Sequence, residues 1–127
     1  MLSQKTNITI ERWDKNIDIL PNQKALSAIV PSCDVLFVCI PTWLVRSALQ
    51  SIRALVTPST VVVSVSKGFE KESCTRVDQL FAEIIGTTNP IIFLGGPMIA
   101  EELIAGTATK AIAASTNAHA RDIMSTL

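Results

Sequence analysis

Three short runs of apolar residues, VLFVCI (35–40), VVVSV (61–65) and IIFL (91–94), constrain the fold most strongly. A run that is apolar at nearly every position is typical of a parallel strand covered by helices on both faces. Between the runs, apolar residues recur at three- and four-residue steps over 42–56 and 73–85, as in amphipathic helices. This alternation predicts an α/β fold with a doubly wound, mostly parallel, Rossmann-like sheet.

Shorter segments complete the predicted order of elements. ITIERW (8–13) is predicted to form the first strand and KALSAIV (24–30) a short helix. We expect another helix to begin just after Pro97, and KAIAAS (110–115) to form a further strand. The closing helix is predicted to be capped by Asn117.

The composition excludes several classes of protein. The chain has 127 residues, enough for one domain, and only 17% of them are charged, which suggests contact with a neighbour. Eleven basic and eleven acidic residues cancel, so neither a nucleic-acid binder nor a membrane-surface protein is indicated. No apolar run approaches the roughly 20 residues of a membrane span. Cys33, Cys39 and Cys74 lack the spacing of a disulfide framework or a metal site, and this favours a cytoplasmic protein. The single histidine, His119, is predicted to lie on the surface.

The candidate site follows the ends of the three apolar runs, in the turns CIPT, SKG and GGP. The carboxyl ends of parallel strands meet at one edge of a sheet, where ligands bind. Lys67 could neutralise charge on a substrate oxygen or phosphate, and Gly68 would let a ligand approach the backbone. Alternatively, Lys67 caps the strand and Gly68 provides a positive φ for the turn.

Three other groups of residues are candidates for binding or catalysis. Gly95, Gly96 and Pro97 precede a predicted helix, and this arrangement suits either an anion or an ordinary turn. Adjacent Glu101 and Glu102 point about 100° apart on a helix, so they favour helix stabilisation over acid–base catalysis. Asp14 and Lys15 follow the first predicted strand, where an acidic residue binds ribose hydroxyls and a basic one favours a 2′-phosphate. The choice between NAD and NADP stays open.

The segments ERWDKN, SCDVLFVCIPTWLVRSALQSI, VSVSKGFEKES and GGPMIAEELIAGTATKAIAAS together resemble the N-terminal domain of NAD(P)-dependent glycerol-3-phosphate dehydrogenase, from about Ile8 onwards. The resemblance implies hydride transfer between NAD(P)H and dihydroxyacetone phosphate. It implies that Lys67 is catalytic and contacts both cofactor and substrate, and that Gly96 approaches the glycerol phosphate. Cofactor contacts are implied at the positions Asp14, Lys15, Pro41 and Ala100.

The sequence also departs from the family pattern. Met98 and Gly95 stand where the family usually has hydroxyl residues, and Met98 takes the substrate-binding position. The first strand with its GxGxxG turn and the C-terminal helical domain, which supplies a second lysine, have no counterpart in the sequence. We therefore expect 1–127 to be a partial NAD(P)-binding domain with little activity alone. Its protein partner would be the missing domain or a second copy of the chain. The alternatives are a related reductase of another small ketone and a non-catalytic nucleotide-binding or interaction module.

Overall fold

The computed structural model describes residues 9–16, 18, 20–107 and 110–126. These residues form one four-stranded sheet in the order β1-β2-β3-β4. The strands are β1 (Val35–Val38), β2 (Val61–Ser64), β3 (Ile91–Gly95) and β4 (Ile112–Ala114). The pairs β1–β2 and β2–β3 are parallel, whereas β4 runs antiparallel to β3. The prediction of a mostly parallel α/β sheet is confirmed.

Helices connect the strands, as the periodicity predicts. The first is α1 (Leu26–Ile29), which continues into a 3-10 turn at Val30–Ser32. The others are α2 (Thr42–Ile52), α3 (Val77–Ile84), α4 (Ala100–Ile104) and α5 (Ala118–Thr126). The backbone N–H of Ala120 donates to Oδ1 of Asn117 at 2.9 Å, so the predicted cap of α5 is confirmed. No helix among these residues is long and apolar enough to cross a membrane.

The second strand, β2, lies at the centre of the core, and all four of its residues are buried. Val62 packs into an apolar cluster with residues of α2 and α3. Val61 and Val63 face a second cluster that includes Ala120 of α5. Because apolar layers cover both faces of β2, its sequence shows no alternation of polar and apolar residues.

The first strand, β1, is less covered than predicted. VLFVCI was expected to be buried on both faces, yet Phe37 is 46% exposed. Within the described ranges, β1 pairs with β2 along one edge only. An edge strand has fewer neighbours to cover its side chains, which explains the exposure of Phe37.

The first predicted strand is wrong over its described part. Residues 9–13 adopt no strand structure, and residue 8 lies outside the described residues. Ile10 is 77% exposed, so the alternation of apolar and polar residues in ITIERW serves no buried face. A strand requires a hydrogen-bonded neighbour, and none pairs with residues 9–13 in the part of the chain described here.

Two predicted helix starts are also wrong. The helix expected from Ser73 begins at Val77, because the chain before it folds back and the N–H of Glu70 donates to the carbonyl of Thr75 at 2.8 Å. The helix expected after Pro97 begins at Ala100. The N–H of Met98 donates to the carbonyl of Gly96 at 2.9 Å, and this tight turn delays the helix.

Candidate functional site

A cleft of about 470 Å³ lies beside the carboxyl ends of β2 and β3. Apolar residues of β3 and β4 form much of its wall, and charged side chains from the turn after β2 and the start of α3 lie at its rim. The residues lining it are Ser66, Lys67, Gly68, Arg76, Val77, Asp78, Phe93, Leu94, Gly95, Gly96, Ile112 and Ala114. The predicted SKG and GGP turns therefore border the same cavity.

The ammonium of Lys67 connects these two turns. Its Nζ donates to the carbonyl oxygen of Gly96 at 3.2 Å. The same oxygen accepts the N–H of Met98. An ammonium has three N–H donors, and Gly96 is its hydrogen-bond partner among the residues described. Lys67 can therefore keep this contact and still donate to a ligand in the cleft.

Hydrogen bonds attach the CIPT turn to the SKG turn. The hydroxyl of Ser66 donates to the carbonyl of Ile40 at 2.6 Å, and the hydroxyl of Thr42 donates to the carbonyl of Lys67 at 2.6 Å. The three turns predicted from the sequence thus meet at one edge of the sheet. Pro41, directly before α2, does not itself line the cleft.

Gly68 and Gly96 have different structural reasons to be glycine. Gly68 has φ +97°, and a Cβ there would meet no atom within 4 Å, so the backbone conformation favours glycine. Gly96 has φ +122°, and its Cβ would lie 2.9 Å from the carbonyl oxygen of Lys110. A side chain at Gly96 is therefore opposed by both conformation and space.

Sequence reasoning missed an ion pair at the rim of the cleft. The guanidinium of Arg76 donates through Nε and Nη2 to the two carboxylate oxygens of Asp78. This contact lowers the pKa of Asp78 and raises that of Arg76. The RxD spacing at a helix start is the signal that could have indicated the pair. The ion pair places a second cation, Arg76, beside the cleft together with the carboxylate of Asp78 that neutralises it.

A second missed group lies behind the SKG turn. Arg46 of α2 donates to both carboxylate oxygens of Glu70, at 2.7 and 2.9 Å, and also to Glu83 of α3 at 2.8 Å. Ser73 donates its hydroxyl to Glu70 at 2.5 Å. Arg46, and then Ser73, lower the pKa of Glu70, which therefore stays ionised. No local pattern indicates a pair separated by 24 residues.

The remaining predicted site residues do not line the cleft. Asp14 accepts the N–H of Asn16 at 2.8 Å within its own loop. Lys15 is exposed in the same loop, and Ala100 begins α4. Met98 contacts the site through its backbone N–H. Their binding roles stay predictions.

The side chain types that commonly bind metal ions are dispersed in the described part of the chain. No group of three or more His, Cys, Asp or Glu side chains that could hold a metal ion occurs there. His119 is exposed on α5, as predicted.

Residues 6–121 match the family described as the N-terminus of NAD-dependent glycerol-3-phosphate dehydrogenase. The chain belongs to this family. The glycerol-3-phosphate dehydrogenase [NAD(P)+] of Clostridium botulinum (strain Eklund 17B / Type B) is 28% identical over 110 residues, covering 84% of the chain and 33% of that relative. The corresponding protein of Erwinia tasmaniensis is 34% identical over 102 residues, covering 80% of the chain and 30% of the relative. The chain thus spans about a third of the length of these glycerol-3-phosphate dehydrogenases.

Solved structures of this family share the fold. Glycerol-3-phosphate dehydrogenase from Coxiella burnetii superposes with a TM-score of 0.72 at 21% identity, over 79% of this chain and 30% of that one. The Dunaliella salina protein gives a TM-score of 0.68 at 21% identity, over 79% of this chain and 17% of that one. Glycerol-3-phosphate dehydrogenases therefore share the arrangement of strands and helices found here.

Proposed function

We propose that the chain forms part of the nucleotide-binding domain of an NAD(P)-dependent dehydrogenase that interconverts dihydroxyacetone phosphate and sn-glycerol 3-phosphate. Membership of the glycerol-3-phosphate dehydrogenase family supports the reaction class. The observation that carries the proposal is the position of Lys67, which lines a cleft at the carboxyl ends of two parallel strands and whose Nζ donates to Gly96. This is the edge at which open α/β sheets bind their ligands.

The cleft fits one end of a nicotinamide cofactor. Phe93, Leu94 and Ile112 give it an apolar wall suited to a flat ring, and Lys67 has N–H donors to spare at the rim. When bound, NAD(P)H supplies the hydride, while the protein supplies orientation and charge. We assign further cofactor contacts to the positions implied by the family pattern, namely Asp14, Lys15, Pro41 and Ala100.

Lys67 has a direct electrostatic role in this proposal. Negative charge develops on the carbonyl oxygen of the substrate as the hydride arrives at carbon, and a fixed ammonium stabilises that charge. We assign the approach of the substrate phosphate to the backbone of Gly96, which borders the cleft opposite Lys67 and holds this position in the family pattern. The lysine thus serves cofactor and substrate from one position.

Met98 favours a second candidate substrate. A thioether accepts hydrogen bonds weakly and cannot donate, so Met98 cannot replace a hydroxyl in binding a polar substrate group. A related reductase acting on another small phosphorylated or carboxylated ketone would tolerate this residue. Comparing several such ketones in one assay distinguishes the two substrates.

The free edge of β1 supports a proposal about partners. Among the described residues no strand pairs with the outer edge of β1, and this edge, together with the half-exposed Phe37, suits pairing with a further strand from another part of the protein or from a second copy. The three free thiols Cys33, Cys39 and Cys74 fit a reducing, cytoplasmic setting. We also propose that 1–127 is a partial domain and that a helical domain supplies the second lysine of the site.

The test compares Lys67→Ala with Lys71→Ala in the protein as its gene encodes it. Lys71 lies in the same connection between β2 and α3 but outside the lining of the cleft, so it controls for loss of a nearby positive charge. We expect Lys67→Ala to lower kcat/KM for dihydroxyacetone phosphate by about 10² to 10³, and Lys71→Ala to leave it unchanged. The assay follows NADH and NADPH oxidation. Equal activity of the two variants would refute the role of Lys67, and cofactor binding without turnover in the wild type would indicate a non-catalytic module.

A further inference from the structure

We propose that Thr42 and Arg46, on one face of α2, are positioning residues that hold Lys67 in place, Thr42 directly and Arg46 through Glu70. We call Thr42, Arg46 and Glu70 the α2 clamp. The inference depends on the proposed function, because it gives Lys67 the position which that function requires.

The geometry of α2 explains how two side chains reach one turn. Residues four apart lie on the same face of a helix, so Thr42 and Arg46 point towards the same neighbour. Thr42 donates to the backbone carbonyl of Lys67 at 2.6 Å, and Arg46 donates twice to the carboxylate of Glu70. The helix therefore holds the turn on both sides of Gly68.

The SKG turn lacks packing of its own that could fix the lysine. Lys67 and Gly68 are exposed, and Phe69 is 64% exposed. Gly68 adds backbone freedom that other residues lack. A backbone hydrogen bond joins the turn to the start of α3, from the N–H of Val77 to the carbonyl of Gly68 at 3.1 Å. The clamp is what joins it to α2.

Burial of Glu70 makes the clamp strong. The residue is only 8% exposed, and a buried carboxylate is tolerated where charged or hydrogen-bonding partners satisfy it. Arg46 provides a two-point contact and Ser73 a third donor. If Arg46 were removed, Glu70 would keep a buried charge without its cation, which is strongly unfavourable. Glu70 therefore anchors the chain that follows Gly68 to α2, and this restricts the path of Lys67 towards Gly96.

The experiment measures the acylation rate of Lys67 by mass spectrometry in the cofactor-free protein, with Lys71 as the internal reference. Acylation needs an amine that is free to approach the reagent, and the hydrogen bond from Nζ of Lys67 to Gly96 restricts that approach. Thr42→Val removes one hydroxyl at nearly constant volume. Thr42→Ser restores it, and Glu70→Gln removes the charge that binds Arg46. Hydrogen exchange at the amide of Val77 is followed in parallel as a report on the turn itself.

We expect Thr42→Val and Glu70→Gln each to raise the Lys67 rate about threefold or more, as loss of a hydrogen-bonded constraint predicts. Thr42→Ser should return it to near the wild-type rate. Glu83→Gln is the matched control, because it removes the exposed contact of Arg46 and leaves the contact with Glu70. Its Lys67 rate should equal that of the wild type.

An unchanged Lys67 rate in Thr42→Val and Glu70→Gln would overturn the proposal. It would do so even if the Val77 amide exchanged faster, since α2 would then support the turn without fixing the lysine. If Glu70→Gln fails to fold, Thr42→Val decides alone, because it removes one hydroxyl and no charge. The measurement uses no cofactor, so its failure is distinguishable from a failure of NAD(P)H binding or turnover.

Discussion

Replacement of Gly96 by alanine provides a quantitative test of the turn that receives Lys67. The backbone of Gly96 has φ +122°, a region that other residues rarely adopt. Holding a non-glycine residue in such a conformation costs about 1 to 3 kcal/mol. The new Cβ would also lie 2.9 Å from the carbonyl oxygen of Lys110, closer than carbon and oxygen normally approach.

The close approach adds to the conformational cost. The obstructing atom belongs to the backbone next to β4, where Gly95 pairs with Ile112, so it cannot move without disturbing the sheet. Overpacking of this kind typically costs about 1 to 3 kcal/mol. We therefore expect Gly96→Ala to lower the free energy of unfolding by about 2 to 6 kcal/mol.

Gly95→Ala is the matched control for this prediction. Its Cβ would meet no atom within 4 Å, and its φ lies outside the positive region. Alanine there should leave the stability unchanged or raise it by up to about 1 kcal/mol, because it restricts the unfolded chain. Urea denaturation followed by circular dichroism measures both variants. The reasoning is refuted if Gly96→Ala unfolds within about 0.5 kcal/mol of the wild type, or if both variants lose equal stability.

Three further changes test the fold and its pH dependence. Asn117→Ala removes the cap of α5 and should cost about 1 kcal/mol in urea denaturation; no loss would contradict the capping role. Phe81→Ala should cost about 3 to 5 kcal/mol, since the ring is fully buried and packs edge-on against Phe93; a loss below about 1 kcal/mol would contradict this packing. Arg46 lowers the pKa of Glu70 below its ordinary value of 4.5. The ionised Glu70 therefore contributes its full stabilisation of the folded protein above pH 4.5, and this contribution is lost as the pH falls through the lowered pKa of Glu70 in the folded state. Melting temperatures should therefore fall less steeply on acidification in Glu70→Gln than in the wild type, and equal slopes would exclude this contribution.

The sequence predicts those elements whose signals are local. An unbroken apolar run indicates a strand buried on both faces, and β2 satisfies this completely because helices cover both of its sides. The three- and four-residue spacing in α2 and α3 likewise reflects one buried face of each helix. The meeting of the CIPT, SKG and GGP turns follows from the parallel direction of the strands.

Features that depend on distant partners could not be predicted from one sequence. ITIERW alternates like a strand, but strand formation also requires a neighbouring edge, and residues 9–13 have none among the described residues. The pairing of Arg46 with Glu70 joins positions 24 residues apart, and only the fold brings them together. Gly96 has no room for a side chain because the backbone of Lys110 lies beside it. Since this contact depends on the fold, the sequence could not show that Gly96 and Gly95 differ in their tolerance of a side chain.

The central claim is that NAD(P)H binds in the cleft beside Lys67, and an NMR titration of the protein tests it most directly. Backbone amide shifts are recorded while NADH or NADPH is added to the wild type and to Lys67→Ala. We predict that the largest shift changes occur at Ser66–Gly68 and Gly95–Gly96 and that Lys67→Ala weakens binding. Shift changes confined to other surfaces, or equal binding by the two proteins, would contradict the account.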